Sequence, residues 1–349
     1  MTNPSRQEFR VALIGYGLGG ASFHAPLIAT TPGLRLTTIV TANRERRAQA
    51  AAAHPDALVV PTADHVWDAA TNHDLVVIST PNRTHAPLAF QALAVGLPVV
   101  IDKPFATTAA EGLQVIAAAR ASGLWVSPYQ IRRWDSEFLT LQRLIQAGDL
   151  GDVVRFESRL ERWRPLPKGG WRERAAPEEA GGLLFDLGSH LIDQALYLFG
   201  PVDQVYAELD SRRTGLDVDD DVFLALRHKS GVRSHLWTNY LVALNGPRLR
   251  VLGTRGAYVK HHADPQEAAL RAGRLPNEPG WGEEPTEHWG TFSDGEHPKP
   301  VRSEPGAYTQ YYTRVVATLR GEAPVPVDPA DAVAGLEIIE AARKYTGAG

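Results

Sequence analysis

Residues 10–28 read RVALIGYGLGGASFHAPLI. An apolar run ends at Gly15, the glycines recur as Gly15, Gly17 and Gly20 in a G-x-G-x-x-G spacing, and a helical pattern follows at once. In such a strand-to-helix passage the first glycine allows a tight turn. The second lets the backbone approach a pyrophosphate, and the third lets the helix pack close to the strand. The motif alone is a weak signal, so its surroundings decide. From Phe9 to about Ser127 short apolar runs (FRVALIG, LRLTTIVT, ALVV, DLVVIST, LPVVID, LWVSPY) alternate with Ala-rich helical segments such as RERRAQAAAA and THAPLAFQALAVG. Continuous apolar strands separated by helices specify a parallel sheet covered on both faces, hence a doubly wound α/β domain that binds a dinucleotide.

The chain has 349 residues, which predicts about two domains. We place the dinucleotide-binding domain at 1–127 and a second domain at 128–349. After Arg132 the pattern changes to a helix from Asp135 to Ala147 and longer strand-like runs: DVVRFESRLERW, VDQVYAELDS, DDVFLALRH, GVRSHLWTNYLVAL and RLRVLG. Their alternation predicts an α+β domain built on an open, mostly antiparallel sheet. One face of that sheet needs a cover from the opening helix, the C-terminal elements or a second subunit. Two segments read as long loops, 163–182 and 273–305. The first leads into FDLGSHLIDQALYLF, residues 185–199, and is the candidate substrate lid.

Composition narrows the chemistry. Hydrophobic residues make up 44% and charged ones 22%, and the net charge of −4 provides no basic field for nucleic acid or anionic lipid. There is no cysteine, which excludes disulfides, thiolate metal sites and cysteine nucleophiles. No apolar run reaches the length of a membrane span, and the start MTNPSRQEFR has no apolar signal core. The expected location is the cytoplasm and the expected partner a small molecule.

An NAD site has an acidic residue about 20 residues after the glycines, at the end of the second strand. Here that strand ends TTIVTANRERR, where Thr41, Asn43 and Arg44 stand in place of a carboxylate. Arginine pairs with phosphate and the missing carboxylate removes repulsion, so the expected cofactor is NADP in preference to NAD. The fifth strand ends VVIDKPFA, and Lys103 stands where open α/β sheets place their ligands. Residues 185–199 read as one helix that brings Asp186, His190, Asp193 and Tyr197 onto a single stripe. Oxidation of a carbinol needs a hydride acceptor, which is the cofactor's part, and a group to take the hydroxyl proton. Lys103 with His190 meets that second need, and Asp186 can hold a substrate hydroxyl or orient the imidazole. No third ligand accompanies them, so no metal is expected.

Together these segments resemble a known family, the Gfo/Idh/MocA oxidoreductases, along nearly the whole chain. The stretches GYGLGGASFHAPLI, TPNRTHAPLA, DKPF, YQIRRWDSEFLTL, GGLLFDLGSHLIDQAL, GTRGAYVKHHADPQEAAL and AYTQYY are most similar to the branch containing the NADP-dependent scyllo-inositol dehydrogenases. The resemblance implies a Rossmann domain, a second domain with an open mixed sheet, and a homodimer or homotetramer built through that sheet. It carries the catalytic roles onto Lys103, Asp186 and His190. Cofactor contacts fall on Thr80, Pro81, Asn82, His85 and Asp102, and substrate contacts on Arg132, Trp163, Trp171, Arg172 and Tyr311. Ile131 departs from the asparagine common in relatives, which bears on the substrate. The resulting expectation is interconversion of a secondary hydroxyl of a cyclic polyol, scyllo-inositol first, with its ketone. The alternatives are an aldose dehydrogenase, reduction of an imine or enal, and a non-catalytic NADP-binding sensor.

Overall fold

The computed structural model describes residues 8–175 and 179–346, without the side chains of Trp171, Arg172 and Thr346. Six parallel strands form the first sheet: β1 (Phe9–Ile14), β2 (Leu34–Val40), β3 (Leu58–Val60), β4 (Leu75–Ile78), β5 (Val99–Asp102) and β6 (Val126–Tyr129). Their order is β3-β2-β1-β4-β5-β6, the doubly wound arrangement, with the reversal between β1 and β4. The apolar runs divide by alternation between two cores. Ala12, Ile14, Val76 and Ile78 face the helices His85–Ala94 and Ala109–Ala121, joined there by the C-terminal helix Pro329–Thr346. Val11, Leu13, Leu75 and Val77 face the helix Ala25–Thr30 and the helix Thr309–Leu319. Both of the chain's last helices thus return to the first sheet.

The second sheet contains β7 (Val153–Glu161), β8 (Val202–Asp210), β9 (Asp221–His228), β10 (Arg233–Asn239), β11 (Leu249–Gly253), β12 (Ala257–Lys260), β13 (Gly290–Ser293) and β14 (Lys299–Val301). Its order is β14-β13-β12-β11-β7-β10-β9-β8, antiparallel throughout except for β7 beside β10. Along β9 and β10 buried residues alternate with half-buried ones. Val222, Leu224, Leu226 and Leu236 pack on Leu191, Ile192 and Ala195 of the helix Ser189–Phe199. The expected cover of one face is therefore provided mainly by this helix and the C-terminal one.

Two readings need correction. The stretch 273–305 is not one loop, because it carries β13 and β14. Its Gly and Pro have local reasons: a Cβ on Gly290 would lie 2.3 Å from the Tyr258 hydroxyl, and Pro300 sits on an edge strand where no ladder donor is needed. Residues 185–199 are not one regular helix either. A wide π-type turn at Leu184–Gly188 precedes the helix Ser189–Phe199, and such widened turns concentrate at functional sites.

Candidate active site

The carboxyl ends of β1, β4 and β5 meet at the reversal of strand order, and the glycine turn closes over them. Gly15 has a φ of +101°, and a Cβ there would lie 2.1 Å from the Ser79 carbonyl oxygen just beyond β4. A Cβ on Gly20 would lie 2.0 Å from the Gly15 carbonyl oxygen. Around Gly17, by contrast, only Arg46 Nη1 comes within reach, at 3.8 Å. This face of the turn is open, as a backbone that receives a pyrophosphate must be. Gly19, which the motif does not count, is also crowded, by side chains and not by backbone: its Cβ would fall 2.5 Å from Ser79 Oγ and 2.7 Å from Asp102 Oδ2.

Beyond β2, Thr41 is buried while Asn43, Arg44 and Arg46 are exposed. Asn43 caps the helix Arg44–Ala53 by accepting from the Arg46 backbone N–H at 2.9 Å. Beyond β4, the Thr84 hydroxyl donates to Thr80 Oγ1 at 2.7 Å and Pro81 is exposed. The Asn82 amide donates to the Ala180 carbonyl at 2.9 Å and so ties this loop to the base of the candidate lid. His85 is buried, with both ring nitrogens engaged by backbone carbonyls. Its ring lies 2.8 Å from the Pro104 carbonyl and 2.9 Å from the Thr80 carbonyl, and it braces the two loops from below.

Asp102 ends β5. Its carboxylate accepts from the Ser79 hydroxyl at 2.9 Å and from the Lys103 backbone N–H at 2.8 Å, and His24 Nε2 stands 3.5 Å away. Burial opposes its ionisation, yet His24, His85 and Lys103 hold it well below the usual carboxylate range. Asp102 is therefore a permanent acceptor beside Lys103. The Lys103 ammonium donates to Asp186 Oδ1 at 3.0 Å and to the Asp186 carbonyl oxygen. One turn on, His190 lines the same cavity, and Nδ1 is buried with no hydrogen-bond partner among the described residues. Burial first, then the charges of Lys103, Arg132, Arg248 and Arg162, push the imidazole well below its usual range, so it is neutral at pH 7.

The remainder of the sequence stripe has a different role. Asp193 is buried and receives two hydrogen bonds from Arg133, at 2.8 and 2.7 Å, and Tyr197 is half exposed with the Arg133 guanidinium 4.8 Å from its ring centre. The stripe runs from site to brace to surface.

Lys103, Asp186, His190, Asp102, Gly19, Ile131 and Arg132 line one cavity of about 300 Å³. Trp163 and Tyr311 do not. Tyr311 is fully buried, its hydroxyl donating to the Pro128 carbonyl at 3.0 Å. Trp163 is 59% exposed because it lies in an extended continuation of β7, bridged to Leu241, where neighbours point to opposite sides. The residues on either side of it, Arg162 and Arg164, face the cavity instead. Alternation in the run ERWRP was the signal that could have found them. Tyr129, Tyr240 and Glu267 also line the cavity, brought there by strands and a helix far apart in sequence. Trp171 and Arg172 open the helical turn Trp171–Arg174, and their side chains lie outside the described residues. Among the described residues no cluster of His, Asp or Glu could hold a metal ion, and no helix is long and apolar enough to cross a membrane.

Comparison with known proteins agrees with this geometry. The family model described as "Oxidoreductase family, NAD-binding Rossmann fold" matches residues 9–130, and "Oxidoreductase family, C-terminal alpha/beta domain" matches residues 142–346. The chain is similar to the oxidoreductase YdgJ of Escherichia coli, with 40% identity over 95% of both chains. It is similar to the scyllo-inositol 2-dehydrogenase (NADP(+)) IolW of Bacillus subtilis, with 34% identity over 96% of this chain and 93% of that one. The solved structure of the oxidoreductase yvaA from Bacillus subtilis superposes with a TM-score of 0.92, at 33% identity, over 98% of this chain and 97% of that one.

Proposed function

The chain belongs to the Gfo/Idh/MocA oxidoreductase family, and from that premise we propose that it is an NADP-dependent dehydrogenase interconverting a secondary hydroxyl of a polyol or sugar with its ketone. The observation that carries the reading is the Lys103 ammonium 3.0 Å from the Asp186 carboxylate, with the imidazole of His190 in the same cavity. An oxidised nicotinamide, when bound, supplies the hydride acceptor. The open face of Gly17 and the obligatory glycines at 15 and 20 fit a dinucleotide. Residues 41–44, with hydroxyl, amide and guanidinium groups and no carboxylate, suit a 2′-phosphate, and Arg46 beside Gly17 adds to that charge. Asp102 would accept from hydroxyls of the nicotinamide ribose.

The chain's own residues handle the proton. His190, neutral at pH 7, takes the hydroxyl proton of the carbinol. Lys103 stabilises the negative charge that builds on that oxygen, and in the reverse direction the protonated His190 returns the proton to it. Asp186 fixes the ammonium and orients the substrate. A cyclic polyol such as scyllo-inositol is the first substrate to try, in keeping with the IolW relative. The half-buried face of the second sheet, where Phe223 lies 5.1 Å from Trp237 and the Arg159 guanidinium 3.9 Å from the same indole, would bury against a second copy of the chain. The test is NADPH formation by the purified protein with inositols and aldoses, NAD run in parallel. Turnover with NADP is expected. NADPH binding without turnover of any polyol, sugar or sugar acid would overturn the reading.

A further inference from the structure

The cavity above Lys103 continues into a second hollow of about 450 Å³, and Arg132, Arg162, Arg164, Glu267 and Arg271 line both. Arg162 and Arg164 are two residues apart in the extended segment beyond β7. Their backbone N–H groups donate to the Asn239 carbonyl at 2.9 Å and the Tyr240 carbonyl at 2.7 Å. The alternation of an extended chain therefore aims both guanidiniums at the same space. One carboxylate serves three of the four arginines: Glu267 lies 2.5 Å from Arg132, 2.7 Å from Arg271 and 3.9 Å from Arg162. Arg132 also reaches Asp135 at 3.4 Å, whose ionisation burial opposes. Arg164 has no carboxylate within 4.0 Å among the described residues, and its guanidinium lies 5.2 Å from the Tyr240 ring centre. The second hollow is lined by Arg132, Arg159, Arg162, Arg164, Arg248 and Arg271 against the carboxyl groups of Glu161, Asp264 and Glu267, so cations exceed carboxylates there.

The excess positive charge is close to the reacting end. Burial raises the Tyr240 phenol, Asp186 raises it further, and Arg162, Arg164 and Arg213 oppose, so this ring lies in the field of Asp186 and of the arginines alike. Lys168, exposed on the candidate lid, lines the cavity as well. Neutral hydroxyls need no such excess, whereas an anion is held by charge-assisted hydrogen bonds from arginine.

We propose that the substrate carries an anionic group, a carboxylate or a phosphate ester, which Arg164 and Arg162 hold while a hydroxyl elsewhere on the same molecule reaches Lys103 and His190. The substrate class is then a sugar acid or a sugar or polyol phosphate. This rests on the dehydrogenase reading above and narrows it.

The experiment compares kcat/KM with NADP for matched probes: glucose, glucuronate and glucose 6-phosphate, and myo-inositol with its 1-phosphate. The wild-type protein should prefer at least one anionic probe over its neutral partner by about 10-fold or more, and Arg164→Gln should cut that ratio by about 10- to 100-fold, through KM. Carboxylate and phosphate probes separate the two anions. Calorimetric binding of the same probes without turnover gives an independent readout. Turnover of the neutral probes with no preference for the anions would overturn the anion site and leave the dehydrogenase reading standing. Anion binding that is lost in Arg164→Gln, with no turnover of any probe, would support the anion site and sink the dehydrogenase reading. Neither binding nor turnover of any anionic probe would overturn the proposal.

Discussion

Lys103→Met removes a cation from a place where its effects can be followed separately. The ammonium is 3.0 Å from Asp186 Oδ1, and the two side chains are 12% and 21% exposed. At an effective dielectric of about 20 that separation corresponds to a gross attraction of about 5.5 kcal/mol. Desolvation of both groups offsets most of it, and the net loss of stability should be about 1–3 kcal/mol, a shift of a few degrees in Tm. The fold should survive. Turnover should not, because the positive charge at the developing oxyanion is gone, and kcat should fall by at least about 10²-fold. A second effect follows from the same charge. Lys103 follows burial as a cause of His190's lowered pKa, so removing it eases protonation of the imidazole and moves the acid limb of the residual activity to higher pH. Initial rates from about pH 5 to 9, NADPH fluorescence titration and Tm would be measured on one preparation. If kcat stays within tenfold of wild type while NADPH binds, or if the acid limb does not move, the assignment of Lys103 fails.

Three further outcomes follow from the geometry. His190 has a folded-state pKa below its ordinary 6.5, so its contribution to stability is fully present above about pH 6.5 and is lost as pH falls through the folded value. His190→Asn should therefore lessen the decline of Tm from about pH 6.5 to 5, and an unchanged decline would refute the burial of a neutral imidazole. Asp193→Asn leaves Arg133, 7% exposed, with Asp331 alone at 2.9 Å; urea unfolding should show a loss of about 2–4 kcal/mol, and a loss below about 1 would contradict a buried pair. Gly15→Ala places a Cβ 2.1 Å from a backbone oxygen at φ +101°, whereas Gly96→Ala, at φ +86°, meets nothing within 4 Å. The first should lower stability by at least about 2 kcal/mol and weaken NADPH binding, the second by only about 1, and equal effects in a melting assay would refute the close approach.

Much of this protein was legible in the chain because the relevant physics is local. Gly15, Gly17 and Gly20 are one turn, the unbroken apolar runs of β1, β4 and β5 announce burial on both faces, and the four-residue spacing of Asp186 and His190 places them one above the other. Where the chain alone misled, the deciding contact was distant. Residue type says nothing of strand register, and only the pairing with Leu241 turns the Trp163 indole outward and Arg162 and Arg164 inward. Tyr311 has the chemistry of a pocket residue, but the helix Thr309–Leu319 returns to the first sheet and buries it. Gly19 looks like a spare glycine until Asp102 approaches it from a strand about 80 residues away. Local pattern determined the elements, the cofactor turn and the acid/base candidates by themselves. The packing of strands far apart in sequence decided which side chains share the cavity and what net charge a substrate meets there, because those depend on register and through-space distance, which no local spacing records.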